Sequence, residues 1–356
     1  MGGNALKNTT VKRLDRADFL RVSETVTKAL LAAIPGARVS VIPAYGSKAD
    51  FGDLDVLVTT EHVQAAGGGE FLQKLARETF HATDLFKNGN VLSFDYRASA
   101  DQSEPGFQVD IITMPEVSFD YALSYFSFND LGNLIGRTAH KAGLTHGHDG
   151  LWFYMRAGDY LFRNILLTRD HATALSFLGY DPKRFAQGFE GLVDIFQYVA
   201  GSEFFNSDIF LLENRNAESR VRDRKRKTYS EFLLWTAAHP DLPRFDYPQD
   251  KKEWLTRIAS HFPHFHGEYT QGLKDLETQR AVKAKFNGAL VGEMTGLKDK
   301  DLGILMKRFK ESFVTPAKMQ QYLLAESPDV IQSRVLLLQT VVENEAKAKN
   351  LAGVAS

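Results

Sequence analysis

The run Ala44-Tyr45-Gly46-Ser47-Lys48-Ala49-Asp50-Phe51-Gly52-Asp53-Leu54-Asp55-Val56-Leu57-Val58 constrains this chain more than any other segment. Side chains alternate across a strand, so Asp53 and Asp55 share one face at its start while Leu54 and Val56 take the other. Two carboxylates held side by side repel, which points to a cation between them. A third acid, Asp110, stands within Phe107-Gln108-Val109-Asp110-Ile111-Ile112-Thr113, an apolar run that reads as a second buried strand. An isolated carboxylate in such a setting needs a partner. Any one of these aspartates alone has a plain structural reading, as a turn or strand-end cap. Together they ask for strands that meet around a shared site, and all-oxygen donors suit Mg²⁺ or Mn²⁺.

Gly46 and Ser47 precede the acid pair. A glycine permits close backbone approach, and successive N–H groups with the Ser47 hydroxyl are suited to phosphate oxygens, with Lys48 adjacent. Three acids holding two divalent ions, plus a phosphate-binding turn, are the requirements of in-line nucleotidyl transfer from a nucleoside triphosphate.

The organisation around these motifs is α+β. Apolar residues at helical spacing (Phe19, Val22, Val26, Leu30, Leu31, Ile34) predict a helix over 15–34, stopped by Pro35-Gly36. Strands are expected over 38–43, 54–59, 91–97 and 107–114, with a helix over 70–80 between them. After Pro115 long amphipathic segments dominate: 119–126, 131–142, 154–167, 182–199, 229–238, 272–291, 299–313 and 328–348. The expectation is a small mixed-sheet, palm-like catalytic domain over 1–128 and a larger all-helical domain over 129–356. Within the second, 129–150 is thumb-like and 151–356 supplies substrate-binding helices. Loops are expected at Gly201-Ser202, 240–248 and 261–267.

Gly46-Ser47, Asp53-Leu54-Asp55 and Val109-Asp110-Ile111 together resemble the nucleotidyltransferase superfamily typified by DNA polymerase beta. The likeness continues through Pro115, Ala122-Leu123, Tyr125-Phe126, Asn133, Arg137, Ala139, Lys141 and Gly143-Leu144, which is similar to the palm-to-thumb segment of the family X polymerases. The resemblance implies that Asp53 and Asp55 hold both ions and Asp110 the ion at the attacking hydroxyl. It further implies that Tyr125 and Phe126 flank the sugar, and that Asn133 and Arg137 approach the bases. The sequence departs from that family in its short turn, Lys48 to Gly52, and in Ser127-Phe128-Asn129 where the family has Thr-Gly-Ser. A shorter segment, Met294-Thr295-Gly296-Leu297-Lys298-Asp299-Lys300-Asp301-Leu302-Gly303, resembles the terminal helical region of tRNA nucleotidyltransferases and poly(A) polymerases. It reads equally as a helix start capped by Asp299 or Asp301, with Leu302, Leu305, Met306 and Phe309 on its apolar face. This terminal likeness, with only the short segment before Val39 left for a DNA-repair domain, favours RNA over DNA as acceptor.

Charge enters here, because 43 Lys and Arg against 44 Asp and Glu give a net −1 and no global field for a polyanion. The one dense basic run, Arg220, Arg222, Arg224, Lys225, Arg226 and Lys227 followed by Tyr229, is the candidate nucleic-acid surface, with a solvated helix face as the alternative. The chain has no cysteine, which excludes disulfides, thiolate zinc sites and a cysteine nucleophile and fits a reducing cytoplasmic setting. No apolar run reaches membrane-spanning length, so no membrane partner is expected, and the oligomeric state is open. His146, His148, His261, His264 and His266 lack the spacing of a zinc site. Gly67-Gly68-Gly69 reads as a flexible connection, and Trp152, Trp235 and Trp254 as core. The alternative acceptors are a protein or small-molecule hydroxyl; the non-enzymatic alternative is a binding module with a vestigial site.

Overall fold

The computed structural model describes residues 5–101 and 103–354, side chains through 348. In chain order its elements begin β1 (Leu14–Asp15), α1 (Arg16–Ala33), β2 (Val39–Val41), β3 (Asp50–Phe51), β4 (Asp53–Thr59), α2 (Thr60–Ala65), α3 (Gly68–Thr79), β5 (Leu85–Asn88), β6 (Val91–Tyr96) and β7 (Phe107–Met114). Then come α4 (Phe119–Phe126), α5 (Leu131–Lys141), β8 (Leu144–Gly147), β9 (Gly150–Ala157), β10 (Tyr160–Thr168), α6 (His171–Phe177), α7 (Pro182–Ala186), α8 (Leu192–Ala200), α9 (Ala217–Arg224), α10 (Lys227–Ala237) and α11 (Glu253–His261). The chain finishes with α12 (Pro263–Lys285), α13 (Gly288–Thr295), α14 (Asp299–Glu311), α15 (Pro316–Ala325) and α16 (Pro328–Val354).

The expected α+β architecture is the one observed. The site is built on a five-stranded sheet of order β2-β4-β7-β6-β5, in which β4 and β7 are parallel and the other pairs antiparallel. Alternation along β4 and β7 sorts their side chains. Leu54, Val56 and Val58 with Val109 and Ile111 pack under α1 and α3, joining Phe19, Val26, Leu30 and Leu72 in one core. The opposite face carries Asp53 and Asp55 and then Leu57, with Asp110, Ile112 and Met114 alongside; Leu57, Ile112 and Met114 are covered by Phe119 and Ala122 of α4. The acids therefore occupy the end of an otherwise apolar face. Helix α1 starts where Asp15 caps it, its carboxylate accepting from the Asp18 N–H at 2.9 Å.

Four expectations need correction, the first being 272–291, read as one helix: α12 ends at Lys285 and α13 starts at Gly288, with the Asn287 side chain capping it. Residues 154–167, read as a helix, form most of β9 and β10, which pair with β8 in a three-stranded sheet, so the second part of the chain is mostly but not all helical. The run is rich in aromatic and branched side chains, and Gly158 at φ +62° turns the chain where a helix would continue. Gly150 (φ +144°) serves the same sheet: a Cβ there would lie 2.9 Å from the Thr168 carbonyl. Residues 182–199, read as one helix, are two, parted by residues 187–191 with Gly188 at φ +75°. Residues 261–267, read as a loop, hold the end of α11 and the start of α12, with Pro263 opening the second helix.

The compact units divide elsewhere than at 128/129. The chain up to Met155 with Arg163–Phe265 forms one unit; Arg156–Phe162 with the chain from His266 onward forms another. Contacts tie the chain together around residue 128: the Phe128 N–H donates to the Pro43 carbonyl (2.8 Å) and its ring packs on Phe185 and Phe189. The second unit has its own core of Phe286, Val291, Leu305, Phe309, Leu323, Ile331 and Val335. There Met294–Gly303 is a joint between helices: Gly296 (φ +70°) ends α13, and Asp299 and Asp301 sit in the first turn of α14, where negative charge favours the helix dipole. Among the described residues, no helix is long and apolar enough to cross a membrane.

Candidate active site

Parallel pairing of β4 with β7 sets Asp55 opposite Asp110 and Asp53 opposite Gln108. Asp53, Asp55 and Asp110 each offer a carboxylate oxygen within 4.8 Å of the others, and the group could hold a metal ion. Gln108 is buried and donates from Nε2 to both Asp110 oxygens (3.0 and 3.1 Å), which fixes the carboxylate's plane. The sequence passes over Gln108, although its polar amide two residues before Asp110 puts it on the acid face.

Electrostatics mark this cluster as strained by like charge. Burial pushes the Asp55 carboxyl well above its usual range, Asp53 and Asp110 add to the rise, and Lys48 opposes it. Asp110 is pushed up to about 6, chiefly by burial and with a contribution from Asp53; hydrogen bonds from Ser93 and Gln108 hold it back. Lys48 is pulled down by burial and held up by Asp53 and Asp55. Its ammonium lies 4.8 Å from the Phe51 ring centre. A divalent cation among hard oxygen donors relieves the repulsion that one lysine only partly offsets, so the donor set fits such an ion.

The Gly46–Ser47 turn leads into Lys48, which is within reach of the Asp53 and Asp55 charges, but the turn's amides are not open. Gly46 N–H donates to the Phe189 carbonyl (2.8 Å) and Ser47 N–H to the Glu190 carbonyl (2.7 Å). The Glu190 carboxylate lies against Gly46, so a Cβ at that position would be 2.8 Å from Glu190 Cδ. Arg16 holds the turn from the other side, donating to the Gly46 and Lys48 carbonyls. Nothing in the sequence pattern marks Glu190 or this loop, since the contact joins segments far apart in the chain.

Tyr125 and Phe126 stand at the end of α4 with ring centres 5.3 Å apart; His148 stacks on Phe126 and His146 leans on Tyr125. Burial raises the Tyr125 hydroxyl's pKa, while the nearby charges of Arg226 and Arg222 pull it down. Arg222 and Arg226 of the basic run therefore lie near Tyr125. Asn133 meets the run there, accepting at Oδ1 from Arg222 (3.1 Å) and approaching Asp223 at 3.5 Å.

Other expected site residues are turned elsewhere. Arg137, expected to reach toward bases, is buried and donates from Nε and one terminal nitrogen to the Ile209 carbonyl (3.1 and 2.8 Å), a strong acceptor that keeps the guanidinium inside. Tyr229, the expected stacking ring beside the basic run, is fully buried with its hydroxyl on the Phe210 carbonyl (2.6 Å). Within the run itself Arg220 donates to Arg215, Arg222 to Asp223, Arg226 to Asp130, and Lys227 lies 3.6 Å from Glu231. Arg224 and Lys225 are exposed. His146 and His171, unremarkable in sequence, form a buried pair against Tyr121, whose hydroxyl is 2.7 Å from His146 Nδ1. The ring atoms Nε2 of both have no hydrogen-bond partner among the described residues.

No family model matches this chain, and no curated protein matches it.

Proposed function

We propose that the chain is a metal-dependent nucleotidyltransferase, transferring a nucleoside monophosphate from a nucleoside triphosphate to the 3′ end of a nucleic acid, with RNA preferred. The observation that carries the reading is the meeting of Asp53, Asp55 and Asp110 across the parallel pair β4 and β7, within 4.8 Å. In this reading Asp53 and Asp55 hold two Mg²⁺ or Mn²⁺ ions and Asp110 shares the one nearest the acceptor. When bound, the ions make the attacking hydroxyl more acidic and neutralise the leaving pyrophosphate. The acceptor oxygen bonds to the α-phosphorus, the bond from that phosphorus to pyrophosphate breaks, and the hydroxyl proton leaves to solvent. Gln108 keeps the Asp110 carboxylate oriented, Gly46, Ser47 and Lys48 receive the polyphosphate, and Tyr125 and Phe126 border the sugar. Asn133 lies on the base side. The cytoplasm, where triphosphates and Mg²⁺ are both abundant, is the setting this reading implies.

A second acceptor class is favoured by a specific observation: Tyr229 is core and most of the basic run is already paired within the chain. A protein or small-molecule hydroxyl needs no polyanion track. Incubating the protein with each labelled nucleoside triphosphate, Mg²⁺ and mixed RNA, DNA and protein separates the readings by which fraction gains label. Label in RNA supports the first, label in protein or a small molecule the second, and none in any fraction refutes transferase activity.

A further inference from the structure

We propose that residues Gly188–Gly191 form an anionic latch on the Gly46–Ser47 turn, displaced when a metal-bound triphosphate enters; this rests on the nucleotidyl-transfer reading above. Each of the two amides the turn would offer to phosphate oxygens is already donating, Gly46 to Phe189 at 2.8 Å and Ser47 to Glu190 at 2.7 Å. Carbonyl oxygens are acceptors, as phosphate oxygens are, so the loop and a polyphosphate compete for the same hydrogens. The Glu190 side chain adds a full negative charge directly over Gly46. It is exposed and makes no ion pair among the described residues, so it opposes any polyanion approaching the turn.

Two glycines bracket the loop. Gly188 has φ +75°, a backbone state that side chains with a Cβ rarely adopt, and Gly191 opens helix α8 from an extended conformation. Between these glycines Phe189 is anchored, its ring buried against Phe128, Phe185 and Tyr198. Asp194 receives the Glu190 N–H at 2.9 Å, and Arg184 donates to the Gly188 carbonyl. Ring and helix hold the ends, so opening turns the 189–190 and 190–191 peptide units, which swings both carbonyls away and releases the Glu190 N–H from Asp194. The amides of Gly46 and Ser47 are then free for phosphate. The acid triad sets the condition for opening: a polyphosphate enters favourably only when it brings cations, because Asp53, Asp55 and Glu190 otherwise all repel it.

Inorganic tripolyphosphate with Mg²⁺ probes the seat without depending on the base. Calorimetric titration of the full chain and of Glu190→Gln and Glu190→Ala should give about threefold tighter binding for both variants, the size expected for removing one exposed like charge. Hydrogen–deuterium exchange on the wild type should show faster exchange over 188–192 and slower exchange at 46–47 once the probe is bound. Equal affinities in all three proteins, with exchange over 188–192 unchanged by the probe, overturn the latch and leave the transfer reading intact. No binding by any of them, to tripolyphosphate or to the four ribonucleoside triphosphates with Mg²⁺, removes both readings together.

Discussion

Two groups of acids in this protein are resolved in opposite ways. Asp95 on β6 is fully buried, and its oxygens accept from the Thr83 and Asp84 amides (both 2.7 Å), the Thr83 hydroxyl (2.6 Å) and Arg97 Nε (2.9 Å). Burial raises its carboxyl, but these donors outweigh that and leave it below the usual range. Asp223 is likewise fully buried and paired with Arg215 at 2.7 Å. The acids of β4 and β7 face each other instead, and burial drives Asp55 and Asp110 upward. A buried acid with a full set of donors is an internal brace; half-buried acids that meet one another form a group that could hold a metal ion.

That contrast is broken most directly by removing one acid from each group. Asp55→Ala or Asp110→Ala should reduce transfer by about 10³-fold or more, and the double variant should be little worse, because ligands of one metal site act as a unit. Substantial activity in Asp110→Ala refutes the triad. Asp223→Ala should destabilise by about 3–5 kcal/mol, leaving Arg215 charged and unpaired inside the protein; urea unfolding measures it, and a cost below about 1 kcal/mol would mean that Asp223 is no brace.

The buried histidines extend the comparison to pH. Burial depresses His146 well below its usual range and His171 to about 4. The unfolded chain then binds more protons than the folded one between about pH 6.5 and 4, so stability falls as pH is lowered through that window. His171 alone accounts for up to about 3 kcal/mol by pH 4. His171→Phe should flatten the profile of melting temperature against pH over that range; an unchanged slope places the acid sensitivity elsewhere.

Smaller effects sharpen the picture. Asp55→Asn, tested without metal, should raise stability by about 1 kcal/mol, or about 2–4 °C in a unit of this size, because repulsion is relieved. Mg²⁺ should raise the wild-type melting temperature and not that of the variant; equal responses would mean the ion binds elsewhere. Arg224→Gln with Lys225→Gln should leave stability within about 0.5 kcal/mol. If these residues meet phosphates, the slope of log affinity against log salt should fall by about 0.7 for each contact on single-stranded RNA. Unchanged slopes would assign the exposed part of the run to solvent.

Local patterns carried most of the acid face. The alternation in Asp53-Leu54-Asp55-Val56 and in Val109-Asp110-Ile111 is a property of a few consecutive residues, so it places the acids on one face whatever else the chain does. The same local logic misread 154–167, where aromatic residues satisfy a helical and a strand pattern alike and only pairing with β8 decides.

What the sequence by itself determined, then, is that acids stand at alternating positions of two strands and that helices follow them. The tertiary structure alone decided that Asp55 stands opposite Asp110, that Arg137 and Tyr229 turn inward onto the Ile209 and Phe210 carbonyls, and that Phe189 and Glu190 close over Gly46 and Ser47. Each of these is a choice among partners distant in the chain, settled by which buried donors and acceptors must be satisfied, and no short-range periodicity encodes it.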